Sequence, residues 1–441
     1  MIDFPKAMEI ALDSLLSDRL AILCGAGLSM SAPSNIPSAA DLASVAKKKY
    51  DAMYGVNRSP LAHDIEKQAE FFFKRGELGT IYLRTLIDQH AFSVPPNLGH
   101  FAIADLMLVR AIQTAASTNV DSLIEVAGAE LFGRIGAAID RDRIAMLPPG
   151  TSPLLKIHGC WSQDQRNTVW AKGQLDDEPV KGRIERSKEW LKNQLLDRDL
   201  LIVGYWTDWD YLNEVLDITL GQVEPARVLV INPSETADLV GKAPALHALG
   251  SRAKNKFFSH VRTLGDTFLN QLRIGYSLSF IRRVLHAGED SLRHETGMDA
   301  DSAWFEPVPA DAQTLWLIRR DLEGCNPNAP ATMRAPPSEP LLGLTLLQLQ
   351  KAGAVPDGPY WALATERIRV LRTPGTLLGL GERSYAHETP PTTAPTVVIA
   401  VGAESSSLPG HIVRSGVAPS ITRGGGPRWL TRADAITEFR L

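Results

Sequence analysis

The sequence predicts an α/β fold, with a parallel sheet, a helical insertion and a smaller β-containing C-terminal domain. Three observations predict it. Short apolar runs recur at Leu20–Cys24, Arg110–Ala115, Leu155–His158, Leu200–Tyr205 and Arg227–Asn232. Such runs suit strands buried on both faces of a parallel sheet. Helical patterns separate them, which calls for βαβ connections. Beyond about residue 285 the composition changes to polar, acidic and Pro-rich stretches, then to Gly- and Pro-rich chain with two further apolar runs. Residues 1–285 therefore read as a Rossmann-like unit, 286–312 as a linker and 313–441 as a second domain.

The first strand, Leu20–Cys24, stops at Gly25-Ala26-Gly27, and Ser29 follows. A buried strand ending in such a turn presents backbone N–H groups that, with a following helix, favour a phosphate. The next helix is expected near Ser38. Ser38 and Asp41 have capping-box spacing, and Leu42, Val45 and Ala46 supply an apolar face. Further helical patterns, Ile65–Phe73 and Gly79–His90, precede the second strand. So much helix between neighbouring strands predicts a helical layer over one face of the sheet. Ser187–Leu196 reads as an amphipathic helix leading into the run at Leu200, and Thr267–Leu285 as a later helix. In the last part, Ile368–Leu371 and Thr396–Val401 read as strands. Asn326-Pro327-Asn328-Ala329-Pro330, Pro336-Pro337 and Gly424-Gly425-Gly426 read as breaks. A terminal helix is expected from Thr431, with Asp434 in capping-box position.

Composition narrows the function classes. The 441 residues carry a net charge of −4, which gives no whole-chain case for direct nucleic-acid binding. The basic runs Lys47-Lys48-Lys49, Arg282-Arg283 and Arg319-Arg320 read as solvated helix faces. Cys24, Cys160 and Cys325 are the three cysteines. They form no Cys-x-x-Cys pair, so neither a thiolate zinc site nor a disulfide framework is expected. The N-terminus lacks the pattern of a signal peptide, and no run approaches the ~20 apolar residues of a membrane helix. A cytoplasmic protein is expected.

Gly25-Ala26-Gly27 does not make an ordinary dinucleotide fingerprint. Met30 stands where a third Gly belongs, and no acidic residue follows at the usual distance. No Gly-Lys-Ser/Thr follows either, which removes the P-loop. With the later segments, however, the chain resembles the sirtuin family. Gly25-Ala26-Gly27-Leu28-Ser29 corresponds to its Gly-Ala-Gly-x-Ser motif, and Asn35-Ile36-Pro37 to the Gly-Ile-Pro that follows. Pro96-Asn97-Leu98-Gly99-His100 is similar to its Pro-x-x-x-His segment. Thr118-Asn119-Val120-Asp121 lines up with Gln-Asn-x-Asp, with Thr118 in place of Gln. His158-Gly159 corresponds to the catalytic His-Gly, after Lys156-Ile157. Val230-Ile231-Asn232 is similar to the late strand whose Asn holds the adenosine ribose. The resemblance spans roughly residues 15–275.

The departures are specific. The zinc-binding cysteine pairs are missing, Ser38-Ala39-Ala40 replaces Asp-Phe-Arg, and Gly204-Tyr205-Trp206 replaces Gly-Thr-Ser. In these features the chain is similar to the bacterial sirtuin-like proteins of antiphage defence, which resemble NAD glycohydrolases. The resemblance implies NAD as substrate, no zinc, and catalysis by Asn119 and His158, with Asp121 orienting the Asn119 loop or the ribose. It implies cofactor contacts from Gly25, Ala26, Gly27, Ser29, Pro37, Thr118, Gly204 and Asn232. The chemistry is consistent: nicotinamide leaves neutral, so the protein must hold the ribose, stabilise positive charge and position water. An amide that donates and accepts suits Asn119, and a base near neutral pH suits His158.

Each residue has a plainer reading. His158 alone at a strand end would be structural, Asn119 and Asp121 alone a turn or helix cap, and Cys24 a small buried hydrophobe. His100 reads as a core or helix-face residue, and Trp206 and Trp209 as packing residues. By resemblance, a homo-oligomer is expected. The C-terminal domain is then a regulatory or assembly part. The trigger would be a nucleic-acid-translocating ATPase, an Argonaute-type protein or self-assembly. The alternatives are an NAD-dependent protein deacylase, which predicts a zinc module, and a non-catalytic NAD or ADP-ribose sensor.

Overall fold

The computed structural model describes residues 2–55, 59–131, 133–138, 140–148, 151–205, 210–254, 257–323, 338–372, 395–402 and 427–441. Trp206, Trp209, Cys325, residues 326–337 and Gly424-Gly425-Gly426 lie outside the described residues. Two compact units divide the chain, Met1–Leu272 and Arg273–Leu441. The division falls inside the helix Gly265–Ala287.

The first unit is a seven-stranded, wholly parallel sheet in the order β3-β4-β2-β1-β5-β6-β7. The strands are β1 Leu20–Cys24, β2 Thr114–Ser117, β3 Ile135–Ala138, β4 Ser152–Lys156, β5 Asp199–Val203, β6 Arg227–Ile231 and β7 Phe258–Val261. β1 and β5 are buried at every position, as strands covered by helices on both faces must be. β1 is central. The chain runs to one side of it through β2, β3 and β4, then returns to its other side as β5. Such a reversal opens a crevice at the carboxyl ends of the strands, where α/β sheets bind ligands. At the opposite, amino edge, Asp199 accepts from Ser14 Oγ at 2.6 Å and pairs with both Arg227 Nε at 2.9 Å and Nη2 at 2.6 Å.

The helical insertion forms between β1 and β2, from Ala39–Tyr54, Ile65–Lys74, a π-helical turn Leu78–Leu86 and Leu98–Leu108. The Ser38/Asp41 capping box closes as expected. Its apolar face differs in one place. Leu42, Ala43 and Ala46 are buried, whereas Val45 is exposed. The layer has its own core around Ile65, Phe72, Tyr82 and Leu86.

The strand readings need four corrections. In the run read as Arg110–Ala115, exposed Arg110 turns the chain at φ 60°, Ala111 and Ile112 form a buried connection, and β2 starts at Thr114. The run at Leu155–His158 ends as a strand at Lys156, which leaves His158 beyond the sheet. β3 and β7 were not anticipated. Small residues in Ile135-Gly136-Ala137-Ala138 and polar ones in Phe258-Ser259-His260-Val261 conceal them.

The second unit has a five-stranded sheet ordered β12-β11-β10-β9-β8. β8 (Val355–Asp357), β9 (Tyr360–Leu363) and β10 (Glu366–Arg372) pair antiparallel, while β10, β11 (Val397–Val401) and β12 (Arg428–Thr431) pair parallel. Val397, Ile399 and Val401 pack with Ile368, Val370 and the helix Ser338–Lys351 in one apolar core. The terminal helix Arg432–Phe439 starts from the expected Thr431/Asp434 capping box. Within 286–312, read as linker, Glu289–Thr296 is a helix that ends on Gly297 at φ 67°.

Candidate active site

The turn after β1 is a short 3₁₀ helix, Ala26–Met30. Three amides at this turn are taken up within the fold rather than directed at open space. Gly25 N–H donates to Val203 O at 2.9 Å, Gly27 N–H to Gly204 O at 2.7 Å and Leu28 N–H to Gly25 O at 3.0 Å. Two backbones meet here, and that explains the glycines. A Cβ on Gly27 would lie 2.6 Å from Gly204 O, and one on Gly204, itself at φ +62°, would lie 2.3 Å from Leu28 N. The glycine pattern is thus needed by the junction of β1 with β5, whatever binds above it. Ala26 faces solvent, as does Pro37 on the loop before the next helix.

Ser29 is the hub of a buried polar network. Its hydroxyl donates to Asp121 Oδ2 at 2.9 Å. It accepts from Asn119 Nδ2 at 3.1 Å and meets His100 Nε2 at 3.1 Å. The His100 tautomer follows from its other nitrogen. Nδ1 accepts from Asn97 N–H at 3.1 Å, so Nε2 carries the proton and donates to Ser29. Ser29 therefore spends its one proton on Asp121 and both lone pairs on His100 and Asn119. Expected as a donor to a ligand, it instead ties three elements together. Asn97 caps the helix Leu98–Leu108 and donates to Leu28 O at 2.7 Å, which fixes that helix to the glycine turn. Sequence reasoning left His100 as a core or helix-face residue and gave Asn97 no role of its own. The only available signal was their placement in the Pro96–His100 segment.

The loop after β2 carries Thr118, Asn119 and Asp121. Thr118 N–H donates to Cys24 O at 2.9 Å. Asp121 Oδ1 accepts from Leu123 N–H at 3.1 Å, and Ser122 takes the N-cap position. Lys156, the last residue of β4, is 1% exposed and lies beneath this loop. Its ammonium donates to Asn119 O at 3.3 Å and to Asp121 O, and it pairs with Glu125 at 3.6 Å. Burial alone would lower the Lys156 pKa, but Glu125 and Asp121 outweigh it and the pKa rises. With its amide nitrogen turned to Ser29, Asn119 presents Oδ1, a buried acceptor with no hydrogen-bond partner among the described residues. Buried acceptors are seldom left so, and those that are call for an explanation.

His158 stands just beyond β4. Its Nδ1 lies 3.0 Å from Thr118 O. A carbonyl only accepts, so Nδ1 carries the proton and Nε2 the lone pair. Burial, aided by the nearby Arg183 charge, pushes its pKa down to about 3. Burial likewise lowers His100 to about 4. Both rings are neutral in the fold. The unfolded chain binds protons near 6.5, so acid favours unfolding. Stability is complete above 6.5 and falls as pH drops toward 4 and then 3. Each histidine contributes a slope of about 1.4 kcal/mol per pH unit at most. Unfolding free energies measured at pH 6 and 4.5 should fall less steeply in His158→Gln than in the parent; equal slopes would refute the assignment.

Asn232 follows β6. Its amide donates to Tyr205 O at 3.0 Å and its Oδ1 accepts from Ser234 N–H at 2.9 Å. Beside it, at the carboxyl ends of β6 and β7, lies an open cleft of about 750 Å³ lined by Pro233, Val261, Arg262 and Phe4. Among the described residues no group of three His, Cys, Asp or Glu side chains converges to hold a metal ion. Cys24 and Cys160 are buried free thiols, and burial raises Cys24 to about 11. No helix among the described residues is long and apolar enough to cross a membrane.

The fold and the site define an α/β protein with a buried Ser-Asn-Asp-His network at the switch point of its sheet. Residues 113–245 form the part of the chain that matches the family model described as SIR2-like domain. It contains Thr118, Asn119, Asp121, Lys156, His158, Gly204 and Asn232. Solved structures similar to the chain include one from work on the mechanism and regulation of Sir2 enzymes, at 14% identity and a TM-score of 0.32, over 62% of this chain and 97% of that one. A Sir2 homologue in complex with NAD has 17% identity and a TM-score of 0.32, over 60% and 91%. A Sir2–p53 peptide–NAD+ complex has 14% identity and a TM-score of 0.33, over 60% and 96%. No curated protein matches the chain.

Proposed function

We propose that this protein is an NAD glycohydrolase that cleaves NAD to nicotinamide and ADP-ribose. The observation that carries the reading is the pair Asn119 Oδ1 and His158 Nε2, two buried acceptors on adjacent loops. Asn119 Oδ1 is without a protein partner among the described residues, and the tautomer of His158 leaves its lone pair on Nε2. The match to a SIR2-like domain supports NAD as the ligand. NAD supplies a C–N bond to a pyridinium that leaves as a neutral molecule, so no acid is required for departure. The protein's task is to hold the ribose hydroxyls, accept a proton and orient water. His158 Nε2, unprotonated because burial holds its pKa at about 3 rather than near neutral, accepts a hydrogen bond from a ribose hydroxyl or the water and takes its proton as the bond to nicotinamide breaks, and Asn119 Oδ1 accepts a hydrogen bond from the same hydroxyl or water. Asp121 acts through Ser29 and is a positioning residue. Ala26, exposed on the turn, is the member of the glycine motif open to a pyrophosphate, with Gly25 and Gly27 occupied by the β5 junction.

In its wider form the proposal is an effector of bacterial antiphage defence that acts by NAD depletion, controlled through the C-terminal unit by oligomerisation or a partner. The motif order and the lack of cysteine pairs support it. Only three cysteines are present in the chain, one of them inside β1, too few for the zinc module of a deacylase.

The test quantifies nicotinamide and ADP-ribose from NAD with the purified chain, with and without an acetylated peptide. Equimolar ADP-ribose without peptide is expected. A strict peptide requirement with acyl transfer would replace the glycohydrolase by a deacylase. NAD binding without turnover under either condition would leave a sensor.

A further inference from the structure

Arg183 is a buried cation whose guanidinium has no hydrogen-bond partner among the described residues. It sits in the first turns of the helix Val180–Gln194 and is 3% exposed. Its Nε, Nη1 and Nη2 are all buried without a hydrogen-bond partner among the described residues. Burial lowers its pKa only to about 10, so it stays charged at neutral pH. Two carboxylates lie near enough to act on it, Asp164 and Asp140, and both are engaged elsewhere. Asp164 holds Asn167 through the backbone amide at 3.3 Å and the side-chain amide at 3.0 Å. Asp140 caps the helix Arg141–Ala145 and is paired with Arg186 Nη2 at 2.8 Å. An uncompensated buried charge is among the costliest features a fold can carry.

Its location gives the charge a use. Asp164 belongs to the loop that leaves His158 and returns to it, where Val169 N–H donates to His158 O at 2.8 Å and Gly159, at φ +99°, lies against Thr168. Arg183 is close enough to bear on the His158 imidazole electrostatically. A guanidinium whose Nε, Nη1 and Nη2 have no partner among the described residues matches a planar or tetrahedral oxyanion in bidentate geometry. We infer that Arg183 is the binding residue of an oxyanion subsite beside His158, one that takes a phosphate or carboxylate group of a bound ligand. The inference does not depend on NAD being hydrolysed at this site.

The test compares the full-length chain with Arg183→Met, Arg183→Lys and, as a control that removes an equal charge, Arg186→Met. Thermal unfolding and calorimetric titration are followed against sodium phosphate and sodium acetate at constant ionic strength. The parent should show saturable stabilisation by one of the two anions, kept in Arg186→Met. Arg183→Met should bind that anion at least about tenfold more weakly, the effect of a lost charge-assisted hydrogen bond, with Arg183→Lys between. In anion-free buffer Arg183→Met should be as stable as the parent or more so, since it discards an unpaired buried charge. A variant that unfolds there would mean Arg183 has a structural partner and would overturn the inference. So would an anion response identical in parent and Arg183→Met, or no saturable response to either anion in the parent. A titration repeated with ADP-ribose present separates two sources of the oxyanion. Competition assigns it to the nucleotide's own phosphates, and additive binding assigns it to a second, anionic ligand.

Discussion

His158→Ala and Asn119→Ala should each lower NAD turnover by about 10²- to 10⁴-fold, the range for loss of a positioned base or acceptor, while the fold survives. His158 loses its Nδ1 bond to Thr118 O in the change and sheds a buried imidazole whose neutral state burial enforces. Among the described residues, the Asn119 side chain gives up its bond to Ser29. Ser29→Ala is the informative contrast. That change strands Asp121 Oδ2, His100 Nε2–H and Asn119 Nδ2 together, so it should reduce stability and kcat at once. A donor acting only on a ligand would instead raise KM alone. The measurements are initial rates of nicotinamide release across NAD concentration, with unfolding midpoints for each variant. Near-parental rates in both His158→Ala and Asn119→Ala would remove the proposed chemistry. A pure KM effect in Ser29→Ala would restore that hydroxyl to the ligand.

The parts of this fold that could be read from sequence are those governed by local rules. β1 is five apolar residues followed by glycines, and nothing competes with that reading. The capping boxes at Ser38 and Thr431 closed as their spacing requires. The unread parts are set by tertiary contacts. Ala111 and Ile112 are apolar because their connection is buried, and apolar character alone does not tell a buried loop from a strand. Gly204 suggested a ligand contact, whereas its left-handed backbone and the closeness of Leu28 explain it without one. Arg183 stands among charged residues, in Lys181-Gly182-Arg183-Ile184-Glu185-Arg186. Only packing shows that one member of that run is buried while Arg186 is half exposed.

The Lys156→Met variant should be the most destabilised of the single changes near the site, by about 3–5 kcal/mol, the usual cost of breaking a buried ion pair by removing one partner. The side-chain volume is nearly conserved, so a cavity contributes little. The loss is electrostatic. Glu125, whose pKa burial already raises, would face no cation, and the carbonyls of Asn119 and Asp121 would lose the ammonium that joins them. That ammonium fixes the backbone of the loop presenting Asn119, so the effect should extend to turnover. Lys156→Met with Glu125→Gln tests the cause. Neutralising the stranded carboxylate should recover a good part of the stability. Turnover should recover little, because no group would then hold the two carbonyls. Urea unfolding of the single and double variants, with NAD hydrolysis on the same samples, separates the two effects. Equal destabilisation in single and double variants would mean that the Glu125 charge does not account for the role of Lys156. Full recovery of turnover in the double variant would mean that the loop holds its shape without a buried cation, and that Asn119 is positioned by Ser29 alone.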